Sequence, residues 1–106
     1  MATLGDLFHK AMLDLYLRAK KEANYTPKAF LDMVVSRGGL ETAKTLIAAS
    51  RPSIGYTHLY DRGRLDLTVE ALVVCEKRWH ALFLESEVSA ARQRLQQFGL
   101  KCPASQ

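Results

Sequence analysis

The sequence has few cysteines, few prolines and no long hydrophobic run. It holds two cysteines and three prolines in 106 residues, with Cys75 in an apolar run and Cys102 close to the C-terminus. Two cysteines in such different settings predict no disulfide framework. The start of the chain lacks the pattern of a secretory signal, and no apolar run is long enough to cross a bilayer. These absences predict a cytoplasmic protein with no membrane contact.

Motifs for catalysis and metal binding are also missing. The sequence has no Gly-rich phosphate loop, nucleophile elbow or His-Glu-x-x-His pattern. Cys75 and His80 are five positions apart, which turns the two side chains away from each other on a helix, and a closed zinc site needs four ligands. Asp61, Asp66 and Glu70 are close in sequence, but helix-end hydrogen bonding explains two of them and no proton-transfer partner accompanies them. We therefore expect no enzyme activity, no cofactor and no metal.

The composition is that of one globular domain with a modest positive charge. Hydrophobic residues make up 48% of the chain and are spread along it, so residues 1–100 are expected to form a single domain, followed by a flexible tail over residues 101–106. Fifteen Lys and Arg against eleven Asp and Glu give a net charge of +4. This charge permits binding to nucleic acid but does not require it.

Apolar residues recur at steps of three and four, which is the spacing of one buried helix face. This spacing predicts an all-α bundle of five or six short helices. The first runs from about Leu4 to Asn24, with Thr3 as its N-cap. The second has Thr26 as its N-cap and ends near Arg37, where two glycines follow.

The third helix begins around Leu40 and is closed by Pro52, and Ser53 caps a short fourth helix that ends at Gly63. Asp66 is expected to cap a fifth helix reaching about Lys77.

The stretch from Val69 to Val74 is rich in β-branched residues, so a buried strand is the competing interpretation. Glu70 and Ala71 inside it favour helix. A last helix carries Val88 to Phe98 and starts at Leu84 or, with Ser86 as its cap, slightly later. One core is expected to contain Phe8, Leu46, Leu72, Trp79, Leu82 and Leu95.

Two runs carry a family resemblance: Gly39-Leu-Glu-Thr-Ala-Lys-Thr-Leu46 and Gly63-Arg-Leu-Asp-Leu-Thr-Val-Glu-Ala-Leu-Val73. Together with the residues up to Leu100, they resemble a family of small bacterial helical modules of unassigned activity. The resemblance implies an association with proteins that process or restrict DNA, and it transfers no catalytic residue. Leu84 stands where that family tends to have a Thr N-cap, which removes a cap that contributes about 1 kcal/mol.

A helix, a Gly-Gly turn and a second helix between Thr26 and Ala49 fit the outline of a helix-turn-helix motif. The second helix is expected to expose Thr42, Lys44 and Thr45. It offers one Lys and no Arg, Asn or Gln for reading bases, so an ordinary helical hairpin is the favoured interpretation.

Arginines stand on both sides of the short fourth helix, with Tyr56, His58 and Tyr60 between them. Arg51, Arg62 and Arg64 bracket it, a mixture that phosphate or single-strand binding uses. In the alternative interpretation Arg64 pairs with Asp66 or Glu70, and the tyrosines brace the core. The candidate residues for binding nucleic acid or a partner are Lys44, Arg51, Tyr56, His58, Arg62 and Arg64.

Two functions fit these observations. The first is a non-catalytic module that docks on another protein, expected to be a nucleic-acid-processing or defence-related one. The second is a basic module that binds DNA or RNA directly without strong sequence preference. The small and dispersed charge excess favours the first.

Overall fold

The chain folds into helices of two kinds in the computed structural model, which describes residues 2–100 and 102. In chain order they are α1 (Leu4–Glu22), α2 (Lys28–Arg37), α3 (Gly39–Ala48), α4 (Ile54–Asp61), a first 3₁₀ helix (Leu65–Leu67), α5 (Val69–Cys75), a second 3₁₀ helix (Lys77–Leu82) and α6 (Glu85–Gln97). These residues contain no strand, so the all-α class is confirmed. The expected number of five or six helices is too low, because the two 3₁₀ helices add to six α-helices. No helix in this part of the chain is both long and apolar enough to cross a membrane.

The predicted N-cap of α1 is confirmed, and that of α2 is not. The Thr3 hydroxyl accepts a hydrogen bond from the Asp6 N–H at 3.0 Å, and the Asp6 carboxylate accepts one from the Thr3 N–H at 3.1 Å. The predicted N-cap of α2, Thr26, is wrong by one residue. Pro27 occupies that position, and no side chain bonds to the first turn of α2.

The glycine pair sets the close approach of α3 to α1. Gly38 has a φ of +89°, which few other residues adopt, and it ends α2. The Gly39 N–H donates to His9 Nδ1 at 2.9 Å, and a Cβ at Gly39 would lie 2.8 Å from His9 Cα. The same approach buries Thr42 completely, so the predicted exposure of Thr42 is wrong.

The start of α5 differs from the sequence prediction. Asp66 lies in the first 3₁₀ helix, and Thr68 is the N-cap, with its hydroxyl accepting from the Ala71 N–H at 3.2 Å. The helix ends at Cys75 rather than near Lys77. The helical interpretation of this apolar stretch is confirmed, and α5 is buried along most of its length because helices pack around it.

One core joins α1, α3, α5, α6 and the second 3₁₀ helix. The ring of Phe8 meets Trp79 edge to face at 5.2 Å and Phe83 at 5.5 Å. Of the expected core residues, four are buried and two are half-buried against them. The buried ones are Phe8, Leu72, Trp79 and Leu95, and the half-buried ones are Leu46 and Leu82.

The last helix begins at Glu85, one residue after Leu84, so the alternative start at Ser86 is wrong. The Leu84 N–H donates to the Glu87 carboxylate at 2.7 Å, which is the half of a capping box that needs no capping hydroxyl.

A disulfide joins Cys75 to Cys102, with the two Cα atoms 5.3 Å apart. The expectation that the cysteines stay unpaired is therefore wrong. α6 packs on α5, so the chain leaving α6 returns to the carboxyl end of α5, where Cys75 lies. The other residues of the predicted flexible tail, 101 and 103–106, lie outside the described residues.

Candidate functional site

Arg62 and Arg64, two of the predicted binding residues, hold the carboxyl end of α1. Arg62 donates from Nε to the carbonyl of Ala23, the residue that ends α1, at 3.0 Å. Arg64 donates from Nη2 to the Glu22 carboxylate at 2.7 Å and binds Asp66 at 3.0 Å. Cations at this position also interact favourably with the negative end of the helix dipole. Both arginines therefore already have partners inside the molecule.

The charges around Arg64 shift one another. Hydrogen bonds from Arg18 and then Arg64 lower the pKa of Glu22 to about 2. The hydrogen bond from Arg64 likewise lowers the pKa of Asp66. In turn, the hydrogen bonds to Asp66 and Glu22 raise the pKa of Arg64. The predicted pairing of Arg64 with Asp66 is confirmed, and the alternative pairing with Glu70 is wrong.

Lys44 lies elsewhere on the molecule. Its Nζ is 2.8 Å from the Glu87 carboxylate and 5.3 Å from the centre of the Phe83 ring, and its hydrogen bond lowers the pKa of Glu87. Phe83 contacts Phe8 near the amino end of α1, whereas Arg64 contacts Glu22 near the carboxyl end. These two ends are roughly 20 Å apart along a helix with a rise of 1.5 Å per residue. The structure therefore does not bring Lys44 together with Arg62 and Arg64.

Tyr56 is buried and braces the core. Its hydroxyl donates to the carbonyl of Arg94 at 3.2 Å, and burial, followed by the charge of Glu70, raises the pKa of Tyr56 to about 12. This position matches the alternative interpretation of the tyrosines and takes Tyr56 out of the surface available to a partner.

Arg94 and Glu70 form a buried ion pair between α6 and α5. Arg94 Nη1 is 2.8 Å from Glu70 Oε2, and the two side chains are 13% and 4% exposed. The Arg94 guanidinium also donates to the carbonyls of Leu46 and Ala49 at the end of α3. Burial raises the pKa of Glu70 although Arg94 opposes the shift. The pair ties α3, α5 and α6 together.

The residues that remain at the surface lie on one side of α4. Ile54, His58 and Arg62 are spaced by four residues and are all exposed, and the exposed Arg51 precedes the helix. We call these four residues the α4 surface. Tyr25 supports it, because its ring lies 4.9 Å from the His58 ring and 5.3 Å from the Arg62 guanidinium. Arg51 makes no ion pair or side-chain hydrogen bond within the described residues.

Ile54 and Tyr25 were not predicted as site residues. Ile54 is 77% exposed although it is a large apolar residue. A signal was available in the sequence, because Ile54 opens the fourth helix off the face that carries Tyr56 and Leu59. No sequence signal marked Tyr25, which reaches His58 and Arg62 only through the fold.

An apolar cavity of about 300 Å³ opens beside the α4 surface, between α1, α2, α4 and the start of α5. Phe30, Met33 and Leu59 contribute to its mostly apolar wall, and its two charged residues are Lys28 and Glu70. Lys28 is exposed at the mouth, whereas Glu70 is buried and paired with Arg94. The cavity forms between helices that are distant in sequence, so no local pattern predicts it.

The histidines contact other protein groups. His9 accepts from the Gly39 backbone, His80 Nε2 lies 3.2 Å from the Val74 carbonyl oxygen, and His58 packs on Tyr25. Over residues 2–100 and 102, no group of three or more His, Cys, Asp or Glu side chains could hold a metal ion.

Searches against protein-family models, curated proteins and solved structures each found no match to this chain.

Proposed function

We propose that the protein is a non-catalytic helical module that docks on another protein through the α4 surface. The observation that carries this proposal is the 77% exposure of Ile54 on a helix face that also presents His58 and Arg62, with the exposed Arg51 just before the helix. Aromatic and Arg side chains are enriched among the residues that supply most of the binding energy at protein interfaces, and the buried centre of an interface is more apolar than its rim. Tyr25 adds support, because its packing against His58 and Arg62 restrains both side chains before a partner arrives.

The class of partner rests on the resemblance of the Gly63–Val73 run. It points to a nucleic-acid-processing or defence-related protein, on which this chain would act as an accessory or regulator.

The non-catalytic part of the proposal is supported by the surroundings of the carboxylates. Asp66 is held by Arg64, and Glu70 is held by Arg94, so each acid in these pairs already has a positive partner. A general acid or base needs a reacting group within hydrogen-bond reach. The cavity beside Glu70 has a mostly apolar wall, which suits binding better than proton transfer.

The docking proposal is tested with two matched substitutions. Ile54→Asp places a charge on the α4 surface, and Val35→Asp places the same charge at a similarly exposed apolar residue of α2, which is 71% exposed. Both variants are used to capture proteins from the native host, with quantification by mass spectrometry. We expect the wild-type chain and Val35→Asp to retain the same partner, and Ile54→Asp to lose it. Equal retention by both variants would contradict the α4 surface as the docking site.

Direct binding to DNA or RNA is the second proposal, and the net charge of +4 together with the exposed Arg51 supports it. It has less support than docking because Arg64 and Lys44 are held in ion pairs. With Arg51 and Arg62 as the phosphate contacts, the plot of log affinity against log salt for duplex DNA should have a slope of roughly −2. Titration of labelled duplex and single strands at two salt concentrations measures it. Binding that Arg51→Ala and Arg62→Ala leave unchanged would rule this surface out.

We also propose that the protein works in the cytoplasm, and the disulfide provides the test. Disulfides persist in oxidising compartments and are rare in the cytosol, so Cys75 and Cys102 should be reduced in cells under this proposal. Thiols are trapped with acid in intact cells and then labelled with a maleimide polymer that changes gel mobility. A fully oxidised pair in this assay would assign the protein to an oxidising compartment.

A further inference from the structure

We infer that the cavity beside α4 is a binding site for a single-chain amphiphile with an apolar tail and an anionic head, such as a medium-chain carboxylate. The inference concerns the cavity and does not depend on docking by the α4 surface. Its basis is the size of the cavity, the chemistry of its wall and the position of its two charged residues.

The size of the cavity fits a small ligand. Its volume of about 300 Å³ is at the lower end of ligand pockets in proteins. An apolar cavity of about 150 Å³ takes one benzene ring, so this cavity has room for roughly twice as many carbon atoms. A single Phe or Leu side chain from a partner would leave about half of it empty, which makes a longer chain the better occupant.

The wall of the cavity favours a hydrocarbon. Phe30, Met33 and Leu59 come from different parts of the chain and present apolar atoms to the same space. Water in such a space finds few hydrogen-bond partners and is displaced favourably by an apolar chain.

The two charged residues set the direction of the ligand. Arg94 already neutralises Glu70, so the inner wall offers no unpaired charge to a polar head. Lys28 is exposed at the mouth and makes no ion pair or side-chain hydrogen bond among residues 2–100 and 102. A ligand with a negative head therefore finds its counter-charge at the mouth, with its tail directed inwards.

Three probes that share a ten-carbon chain test this orientation: sodium decanoate, n-decanol and decyltrimethylammonium. Each is titrated into the protein below its aggregation concentration and followed by calorimetry. Decanoate should bind with one-to-one saturation, more tightly than decanol, and the cation should bind least. Lys28→Gln should weaken decanoate binding about two- to fivefold, the range for one exposed charge pair, and should leave decanol unchanged. Lys10→Gln removes another exposed positive charge, on α1 and outside the cavity lining, and is the control.

Methionine methyl resonances report where the probe binds. Met33 lines the cavity, whereas Met12 is fully buried in the core and does not line it. With methyl-labelled methionine, decanoate should move the Met33 resonance and leave Met12 in place. Ala29→Trp adds bulk at the exposed rim of the cavity and should abolish the Met33 shift. Circular dichroism checks the fold of this variant. If Ala29→Trp does not fold, the change in decanoate affinity on Lys28→Gln tests the cavity as the binding site.

Four results would overturn the inference: no saturable decanoate binding, a shift of Met12 in place of Met33, equal affinity for the cationic probe, or unchanged binding by folded Ala29→Trp. A failure here is distinguishable from a failure of docking, because decanoate binding is measured on the isolated chain and docking by the capture of a partner. Ile54 belongs to the α4 surface and also lines the cavity, whereas Arg51, His58 and Arg62 do not line it, so Arg51→Ala tests the α4 surface without altering the cavity. If decanoate fails to bind while Ala29→Trp loses a captured protein, the cavity takes a side chain of that protein and the amphiphile inference is wrong.

Discussion

Replacing Arg94 with Met should strongly destabilise the fold, because it leaves the buried Glu70 carboxylate without its positive partner. The substitution keeps most of the side-chain length but leaves the Glu70 carboxylate, whose side chain is 4% exposed, without its positive partner. Breaking a buried ion pair from one side costs about 3–5 kcal/mol. The carbonyls of Leu46 and Ala49 also lose a donor, but they lie near the end of α3, where water can replace it. We therefore expect the free energy of unfolding to fall by about 3 kcal/mol.

The assay is urea unfolding followed by the fluorescence of Trp79, the only tryptophan, which is fully buried in the core. With a slope of roughly 1.5 kcal/mol per molar urea, a loss of about 3 kcal/mol lowers the midpoint by about 2 M. The matched control is Arg92→Met on the exposed side of α6, for which we expect a change within about 0.5 kcal/mol.

Two further measurements distinguish the loss of the ion pair from a loss of packing as the cause of the destabilisation. Arg94→Met combined with Glu70→Met removes both charges and should return the free energy of unfolding to within about 1 kcal/mol of wild type. Lower pH should also rescue Arg94→Met. Burial holds the pKa of Glu70 in the native state above its value in the unfolded state, so protonation of Glu70 favours the native state. The free energy of unfolding of Arg94→Met therefore falls as the pH rises from the unfolded to the native pKa of Glu70. A loss below about 1 kcal/mol for Arg94→Met, or additive losses in the double variant, would refute this account.

The remaining predictions concern the cross-link, the core and one surface acid. Replacing both Cys75 and Cys102 with Ala opens a loop of 27 residues and should lower the free energy of unfolding by about 3.5 kcal/mol in the chain-entropy account, measured by urea unfolding with and without reductant. Leu72→Ala should cost about 2–5 kcal/mol, because Leu72 is buried in the main core, and a cost below about 1 kcal/mol would show that the core is misplaced. Glu22 has a native pKa of about 2, so its ion pairs stabilise the protein above pH 4.5 and lose their effect as pH falls towards 2. The free energies of unfolding of wild type and Glu22→Gln, measured across this range, should therefore converge at low pH. A difference between them that does not change with pH would contradict this prediction.

The helical class and most of the core followed from the sequence because the spacing of apolar residues is a local property. Phe8, Leu72 and Leu95 lie on the buried faces that their three- and four-residue steps predict. The N-caps Thr3 and Ser53 were also predictable, since a capping side chain bonds to a backbone N–H only a few residues away.

The fold alone decided which polar residues are available for binding. Arg62 and Arg64 resemble phosphate contacts in sequence, but Arg64 binds Glu22, 42 residues before it, whereas Arg62 bonds to the end of α1 and stays exposed. Ile54, by contrast, is exposed because α4 turns Tyr56 and Leu59 towards the core.

The disulfide, the buried ion pair and the cavity are also decided by the fold and not by the sequence pattern. Cys75 and Cys102 are 27 residues apart, and Glu70 and Arg94 are 24 residues apart, so each pair meets only after α6 packs on α5. Sequence spacing determines which residues share a face of one helix, whereas the packing of the helices determines which faces meet. The partners of charges and cysteines, and the space left between helices, are therefore properties of the tertiary structure.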